Sequence, residues 1–308
     1  MTHNIAASVH QRLLNQARAQ GRPFDELLQY FALERFLYRL GRSPYATKFV
    51  LKGALMFNVW QGASARSTRD VDLLGHTDNQ VVSVVQAMQI VCREEPPDED
   101  GLRFNAEAVT GVAITEAAQY HGVRVYLPAT LGNARIRLQV DVGFGDIVVP
   151  GPTLVHLPTI LDNFSPPKLQ GYSRESAIAE KFQAIVYLGL VNSRMKDVYD
   201  IWSLAMRFAF EGPVLALALG KTFRQRQTPF QVMPVAFTPA FVDNPEKQVQ
   251  WQAFVRRLPQ EPAPPTLDVA VQGVAALLQP VVQALVEGRD FEEYWEPGGP
   301  WQERQRRE

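Results

Sequence analysis

The sequence predicts an α+β fold, in which a small mixed sheet flanked by helices precedes a mainly helical C-terminal subdomain. Between residues 48 and 142, short apolar runs and one clean alternation of apolar and polar residues predict strands. Before and after that region, apolar residues recur at helical spacing, and a Pro- and Gly-rich stretch marks the change. We therefore expect N-terminal helices at 1–44, a catalytic core at 45–150, a connection at 151–172 and a helical subdomain at 173–308.

Composition and charge exclude several classes of protein. The chain has 308 residues, of which 46% are hydrophobic, and a formal net charge of −1, so no global field draws it to nucleic acid or membrane. Its one cysteine, Cys92, excludes an intrachain disulfide and a cysteine metal cluster. We find no signal-peptide pattern and no apolar run of membrane-spanning length. These features predict a cytoplasmic location without membrane contact.

The first part of the core predicts a turn that can hold phosphate. Residues 4–20 and 24–41 have the periodicity of two helices that pack on the sheet, the second ending at Gly41 and Pro44. An apolar strand at 48–52 then leads through Lys52 and Gly53 into a helix at 54–61. A glycine at such a turn lets the backbone approach a ligand, and the helix N-terminus supplies free N–H groups.

The next predicted strand, 69–75, carries Asp70 and Asp72. Side chains alternate along a strand, so both carboxylates lie on one face, where they repel each other unless a cation lies between them. Oxygen ligands of this kind suit Mg²⁺, which is commonly held by one or two carboxylates and substrate phosphates. Asp-x-Asp alone is usually a solvated strand edge. The order and spacing of the Gly turn, the helix and this strand favour a metal site instead, because they bring the helix N-terminus and both carboxylates to the same end of the sheet.

This order of elements resembles the polymerase-beta-like nucleotidyltransferase superfamily. Lys52-Gly53-Ala54-Leu55, with Arg66-Ser-Thr-Arg-Asp70-Val-Asp72-Leu, resembles the AbiEii/AbiGii toxin branch of that superfamily. The resemblance implies Mg²⁺-dependent transfer of a nucleoside monophosphate from an NTP to an RNA, such as the tRNA end, or to a protein hydroxyl. It also implies a toxin of a bacterial toxin–antitoxin or phage-defence pair, with a cognate antitoxin protein as partner. Ala54 departs from the pattern, since many members carry Ser, Thr or a second Gly there.

A predicted hairpin supplies a third carboxylate. Strands at 121–128 and 134–142 flank a turn at Gly132 and Asn133, and Asp141 ends the polar face of the second strand. By pattern alone, Asp141 is an ordinary solvent-facing residue. The resemblance implies that it completes, with Asp70 and Asp72, a catalytic set for two Mg²⁺ ions and acts as base on the attacking hydroxyl. Asp146 is the reserve candidate for this role.

Two helices after the connection carry a second polar group. Lys181 lies on a predicted helix at 173–190, and Asp197 and Asp200 lie three residues apart on the next helix, which Asn192 and Ser193 cap. By pattern alone, Lys181 is a solvated side chain and Asp197 complements the helix dipole. The resemblance implies that Lys181 contacts a nucleotide phosphate, and that the two carboxylates orient it or contact the base and ribose. The predicted nucleotide-binding residues are thus Lys52, Gly53, Lys181, Asp197 and Asp200.

Two alternatives remain open from the sequence. The fold could serve as a catalytically weak or inactive nucleotide- or protein-binding module, which Ala54 favours and the retention of Asp70 and Asp72 disfavours. A metal-dependent hydrolase on the same carboxylates is the other, although the five histidines are scattered. The remaining sequence predicts helices at 212–225, 244–257 and 266–287. Basic residues gather at Lys221, Arg224, Arg226, Arg256 and Arg257 and in the tail at 304–307; such charges usually form solvated faces, and one side of an RNA groove is the alternative.

Overall fold

The computed structural model describes residues 4–62, 68, 70–116, 120–258 and 263–303 of the chain. Three residues of the predicted motif, Arg66, Ser67 and Arg69, lie outside this described part, as does the basic tail at 304–307. The chain forms two compact units. The first comprises Met1–Gly145 with Pro152–Tyr172, and the second comprises Asp146–Gly151 with Ser173–Glu308.

The first unit contains a mixed sheet and four helices among its described residues. The helices are α1 (Ile5–Gln20), α2 (Phe24–Arg42), α3 (Ala54–Gln61) and α4 (Val81–Arg93). The strands are β1 (Phe49–Lys52), β2 (Asp70–Gly75), β3 (Leu102–Phe104), β4 (Thr110–Glu116), β5 (Tyr120–Leu131), β6 (Ala134–Phe144), β7 (Thr153–His156) and β8 (Lys168–Gly171). Their order in the sheet is β3-β5-β6-β2-β1-β8-β7, and β4 also pairs with β5. This mixed sheet with flanking helices confirms the predicted fold class.

Three strand pairings define the centre of the sheet. The two-residue turn at Gly132, where φ is +58°, joins β5 and β6 as the predicted antiparallel hairpin, with Leu131 opposite Ala134. β2 runs parallel to β6 and antiparallel to β1, so β2 lies between β1 and β6 at the centre of the sheet. Val71, Leu73 and Leu74 are buried, as expected for a central strand.

Gly41 differs from its predicted role as a helix stop. The helix α2 continues through it to Arg42, and a β-carbon built on Gly41 would lie 2.3 Å from the backbone oxygen of Lys168. Gly41 is therefore required where α2 passes closely over β8. The helix ends instead at Ser43, whose N–H donates to the carbonyls of Arg39 and Leu40.

The stretch at 151–172, expected as a connection, contains two strands of the sheet. β8 runs parallel to β1, with Val50 opposite Gln170, and β7 pairs with the other edge of β8. Local sequence did not indicate these strands because each has four residues between Pro- and Gly-rich turns, and the pairing with β1 is remote along the chain. The strand predicted near 103–109 is also shorter: β3 ends at Phe104, and β4 follows a helical turn at Ala106–Ala108.

The second unit is mainly helical, as predicted. Its helices are α5 (Arg174–Leu188), α6 (Met195–Arg207), α7 (Gly212–Gln225), α8 (Pro239–Val242), α9 (Pro245–Val255) and α10 (Leu267–Glu287). Three two-residue strands, β9 (Phe210–Glu211), β10 (Tyr294–Trp295) and β11 (Trp301–Gln302), form a small antiparallel sheet that the sequence did not predict. The indole N–H of Trp295 donates to the carbonyl of Ala205 at 2.8 Å and so ties this sheet to α6.

The prediction that no apolar run reaches spanning length is wrong for α10. This helix has 21 residues and a mean hydropathy of 1.7 over its most apolar window. Nine of its residues are buried within the second unit, among them Leu277, Leu278 and Val281, as in the core helix of a globular unit. It is the one helix among the described residues that is long and apolar enough to cross a membrane, and length and composition alone are weak evidence that it does.

Candidate active site

The turn at Gly53 lies directly beside Asp72. Gly53 has φ +67° and ψ −150°, a conformation that only glycine adopts readily, and it begins α3. A β-carbon built on Gly53 would lie 1.9 Å from Oδ2 of Asp72. Any other residue at position 53 would displace the Asp72 side chain. The glycine therefore allows a carboxylate and a helix N-terminus to share one small space.

Four charged residues lie side by side across four neighbouring strands of the first unit. Lys52 of β1 pairs with Asp72 of β2, Asp72 pairs with Asp141 of β6, and Asp141 pairs with Arg124 of β5. Directly paired residues point to the same face of a sheet. We call this line of Lys52, Asp72, Asp141 and Arg124 the charged row. Asp70, two residues before Asp72, lies on the same face and pairs with Gln139.

A small cavity opens at the charged row. Its volume is about 50 Å³, and its lining includes Lys52, Asp72 and Asp141, with the backbone of Gly122 and Gly143. This volume holds at least one water molecule. The two carboxylates therefore face a space that a small hydrated species can enter, as a site for an ion or a phosphate oxygen requires.

Arg124 binds both oxygens of Asp141. Its Nε donates to Oδ1 at 2.8 Å and its Nη2 donates to Oδ2 at 2.7 Å, while Nε2 of Gln139 donates to Oδ2 at 3.2 Å. Hydrogen bonding to Asp141 raises the pKa of Arg124 further above its usual range. The guanidinium thus stays charged, and Asp141 accepts three hydrogen bonds in this structure.

The chemistry of the donors on this face fits Mg²⁺. Such an ion usually takes one or two carboxylates and completes its shell with water and substrate phosphates. Asp70 and Asp72 supply the carboxylates, and the Asp72 carboxylate fills the space that a side chain at Gly53 would take, next to the start of α3. Within the described ranges, no group of three or more His, Cys, Asp or Glu side chains is arranged to hold a metal ion. Asp70 and Asp72 are two carboxylates on this face whose oxygens are of the type that such an ion takes.

The second predicted group assembles within the second unit. Nζ of Lys181 on α5 lies 2.9 Å from Oδ1 of Asp197 and 2.8 Å from Oδ2 of Asp200, both on α6. The side chains of Asp197 and Asp200 are 6% and 1% exposed, and that of Lys181 is 15% exposed. The structure thus brings the three predicted residues together. The two carboxylates already offset the charge of Lys181, as expected if they orient it.

Asp146, the reserve candidate, belongs to the second unit. Its carboxylate is 3% exposed, and Nη2 of Arg226 donates to it at 2.9 Å. The same Nη2 lies 3.3 Å from Glu180, and Nη1 donates to Gln183 at 3.0 Å. Asp146 therefore takes part in a buried ion-pair network around Arg226, whereas Asp141 lies on the sheet face beside Asp72.

Sequence reasoning missed Arg124, although a signal for it was present. The two-residue turn at Gly132 and Asn133 fixes the hairpin register, so each pair on β5 and β6 has residue numbers that add to 265. Asp141 must therefore face Arg124. The network around Arg226 has no such local signal, because its members come from remote parts of the chain.

A mixed sheet that carries a Gly turn, a helix N-terminus and two aspartates in this order matches the class of nucleotidyltransferases that the sequence resembles. A family model described as "Nucleotidyl transferase AbiEii toxin, Type IV TA system" matches residues 35–273. The match covers well over half of the chain, and the chain belongs to this family of nucleotidyltransferase toxins. It is thereby an enzyme of nucleotidyl transfer from a toxin–antitoxin system, with an antitoxin as partner.

Two solved structures from Helicobacter pylori are similar to this chain. One, described as "putative nucleotidyltransferase from H. pylori", is 12% identical with a TM-score of 0.43, and the alignment covers 92% of this chain and 97% of that chain. The other, JHP933, is 12% identical with a TM-score of 0.45, and the coverage is 82% and 90%. No curated protein matches the chain.

Proposed function

We propose that this protein moves a nucleoside monophosphate from an NTP to a hydroxyl group of an RNA or a protein and releases pyrophosphate, and that Asp70 and Asp72 hold Mg²⁺ for this reaction. One observation carries the proposal: Asp72 lies against the Gly53 turn and beside Asp141 in register. A phosphate-binding turn and a metal-binding pair of carboxylates have to be close together for phosphoryl transfer. A sheet face used only for packing has no need of them.

The residues of this chain have distinct proposed tasks. Backbone N–H groups at the start of α3 bind triphosphate oxygens, helped by the positive end of the helix dipole. Lys52 adds positive charge beside them, and Asp141 accepts the proton of the attacking hydroxyl. Lys181, oriented by Asp197 and Asp200, is a further proposed phosphate contact. Bound Mg²⁺ would supply neutralisation of phosphate charge and a more acidic attacking hydroxyl.

Ala54 is compatible with this function. The helix N-terminus supplies backbone donors whatever side chain follows Gly53, so a hydroxyl at position 54 is not required for phosphate binding. The weak or inactive binding module remains the second candidate. It predicts NTP binding without transfer of label.

The test uses the double variant Asp70→Asn with Asp72→Asn. Each of four NTPs, labelled at the α-phosphate, is incubated with Mg²⁺, total cellular RNA and cellular protein, and label is sought in both polymers. We expect transfer by the wild type and none by the double variant, with a cooperative thermal unfolding transition that shows the variant to be folded.

A matched control makes the same charge change elsewhere. Asp98→Asn with Glu99→Gln alters two exposed acidic residues of the loop after α4 and should keep full transfer. Full transfer by Asp70→Asn with Asp72→Asn would end the metal proposal. NTP binding without label in either polymer would favour the binding module.

A further inference from the structure

Arg124 is the member of the charged row to which the proposed reaction gives no task. Its guanidinium makes a bidentate pair of hydrogen bonds to Asp141, at 2.8 and 2.7 Å, and Gln139 donates a third hydrogen bond to the same carboxylate. A carboxylate bound in this way offers little to a metal ion or to a proton. Asp141 can therefore serve catalysis only after Arg124 has moved away from it.

The Arg124–Asp141 pair is placed so that it can separate. The side chains are 33% and 16% exposed, so neither charge depends on the other to remain in a dry interior. Partly exposed ion pairs contribute little to stability, and water replaces them at low cost. Asp72 lies next to Asp141 in register, on the side away from Arg124.

A triphosphate offers Arg124 a second partner of the same geometry. Guanidinium groups bind phosphate in the same bidentate geometry in which they bind carboxylates. The lining of the cavity at the charged row includes Asp72 and Asp141, so a phosphate oxygen that enters it lies next to the carboxylate that Arg124 binds. Exchange of Asp141 for phosphate on Arg124 frees Oδ1 of the carboxylate and leaves Oδ2 with the hydrogen bond from Gln139.

We propose that Arg124 is a positioning residue that withholds Asp141 from the metal site until a nucleoside triphosphate binds. This inference rests on the proposed function. Without nucleotide, a divalent ion competes with the guanidinium for Asp141 and binds weakly. With nucleotide, the guanidinium transfers to phosphate and the ion gains a carboxylate. Ion and nucleotide therefore bind cooperatively, and by linkage each strengthens the other by the same factor.

The test measures Mn²⁺ affinity by electron paramagnetic resonance, with and without the α,β-methylene analogue of each NTP. In the wild type, the analogue should tighten Mn²⁺ binding. Arg124→Gln removes the charge that competes for Asp141, so it should bind Mn²⁺ about ten- to a hundredfold more tightly without nucleotide, and should lose the same factor of cooperativity. A merely structural role for Arg124 would not raise metal affinity.

Two further variants keep this test decisive. Arg135→Gln removes an exposed arginine on the polar face of β6 and should leave Mn²⁺ affinity as in the wild type, which controls for net charge. Arg124→Lys retains the charge but not the bidentate geometry, so it should give an Mn²⁺ affinity between those of the wild type and Arg124→Gln. If Arg124→Gln does not fold, Arg124→Lys takes its place in the test.

The outcomes separate this inference from the proposed function. Unchanged or weaker Mn²⁺ binding in Arg124→Gln would overturn the inference, as would wild-type affinity that does not respond to nucleotide. If the wild type binds no Mn²⁺ even with nucleotide, the proposed function fails first, because Asp70 and Asp72 then hold no metal.

Discussion

Replacement of Lys181 should destabilise the second unit more than it weakens any nucleotide contact. Lys181 lies 2.8–2.9 Å from the carboxylates of Asp197 and Asp200, which are 6% and 1% exposed. Removal of one partner from a buried ion pair costs about 3–5 kcal/mol. After loss of Lys181, Nη1 of Arg194 still lies 3.9 Å from the Asp197 carboxylate. Loss of a charge-assisted phosphate contact costs about 1.5–3 kcal/mol of binding. Lys181→Ala should therefore show the larger effect in unfolding.

Urea unfolding followed by tryptophan fluorescence measures this effect in the right unit. Four of the five tryptophans, namely Trp202, Trp251, Trp295 and Trp301, lie in the second unit. A loss of about 4 kcal/mol lowers the urea midpoint by about 2 M for a slope of about 2 kcal/mol per M. NTP affinity is then compared between variant and wild type at urea concentrations and temperatures where both are folded.

Two controls decide whether the reasoning holds. Lys221→Ala removes an exposed lysine of α7 and should change stability by no more than about 0.5 kcal/mol. Addition of Asp197→Asn and Asp200→Asn to Lys181→Ala removes the uncompensated charge and should restore much of the loss. If Lys181→Ala costs less than about 1 kcal/mol, solvent or another cation compensates the carboxylates and the argument is refuted.

Two further predictions concern the first unit. Gly53→Ala should lower both the transfer rate and the Mn²⁺ affinity because its β-carbon displaces Asp72. The control Ala54→Ser should leave both quantities unchanged. Mn²⁺ affinity in Gly53→Ala equal to that of the wild type would contradict the predicted displacement. Burial raises the pKa of Glu34 from 4.5 to about 7. Between these two pH values the folded state retains a proton that the unfolded state releases. The free energy of unfolding therefore falls by up to about 3 kcal/mol as the pH rises from 4.5 to about 7. Glu34→Gln should flatten this dependence in urea midpoints from pH 4 to 8, and equal slopes in both proteins would count against it.

The elements that local pattern predicts are those whose partners are near in sequence. The unit β1–α3–β2 and the hairpin β5–β6 are encoded by apolar alternation and by one two-residue turn, and both were predicted. The strands β7 and β8 were not, because four residues carry too little pattern and the pairing of β8 with β1 depends on remote residues. The same limit applies to the network around Arg226.

The candidate site shows a similar division. Alternation places Asp70 and Asp72 on one face, and the hairpin register places Asp141 beside Arg124. The close approach of Asp72 to Gly53 was not predictable, since it depends on how β1 and β2 pair. A larger side chain at position 53 therefore cannot report on phosphate binding alone, since loss of activity would follow from displacement of Asp72 even if no phosphate bound at the turn.

The parallel pairing of β1 with β8 has a consequence for synthesis on the ribosome. Val50 and Gln170 are 120 residues apart. At a translation rate of roughly 5–20 residues per second, β8 is therefore synthesised about 6–24 s after β1. During that interval the backbone donors and acceptors of β1 form an open edge that another nascent chain can pair with. A chaperone that shields this edge would protect the emerging toxin from aggregation.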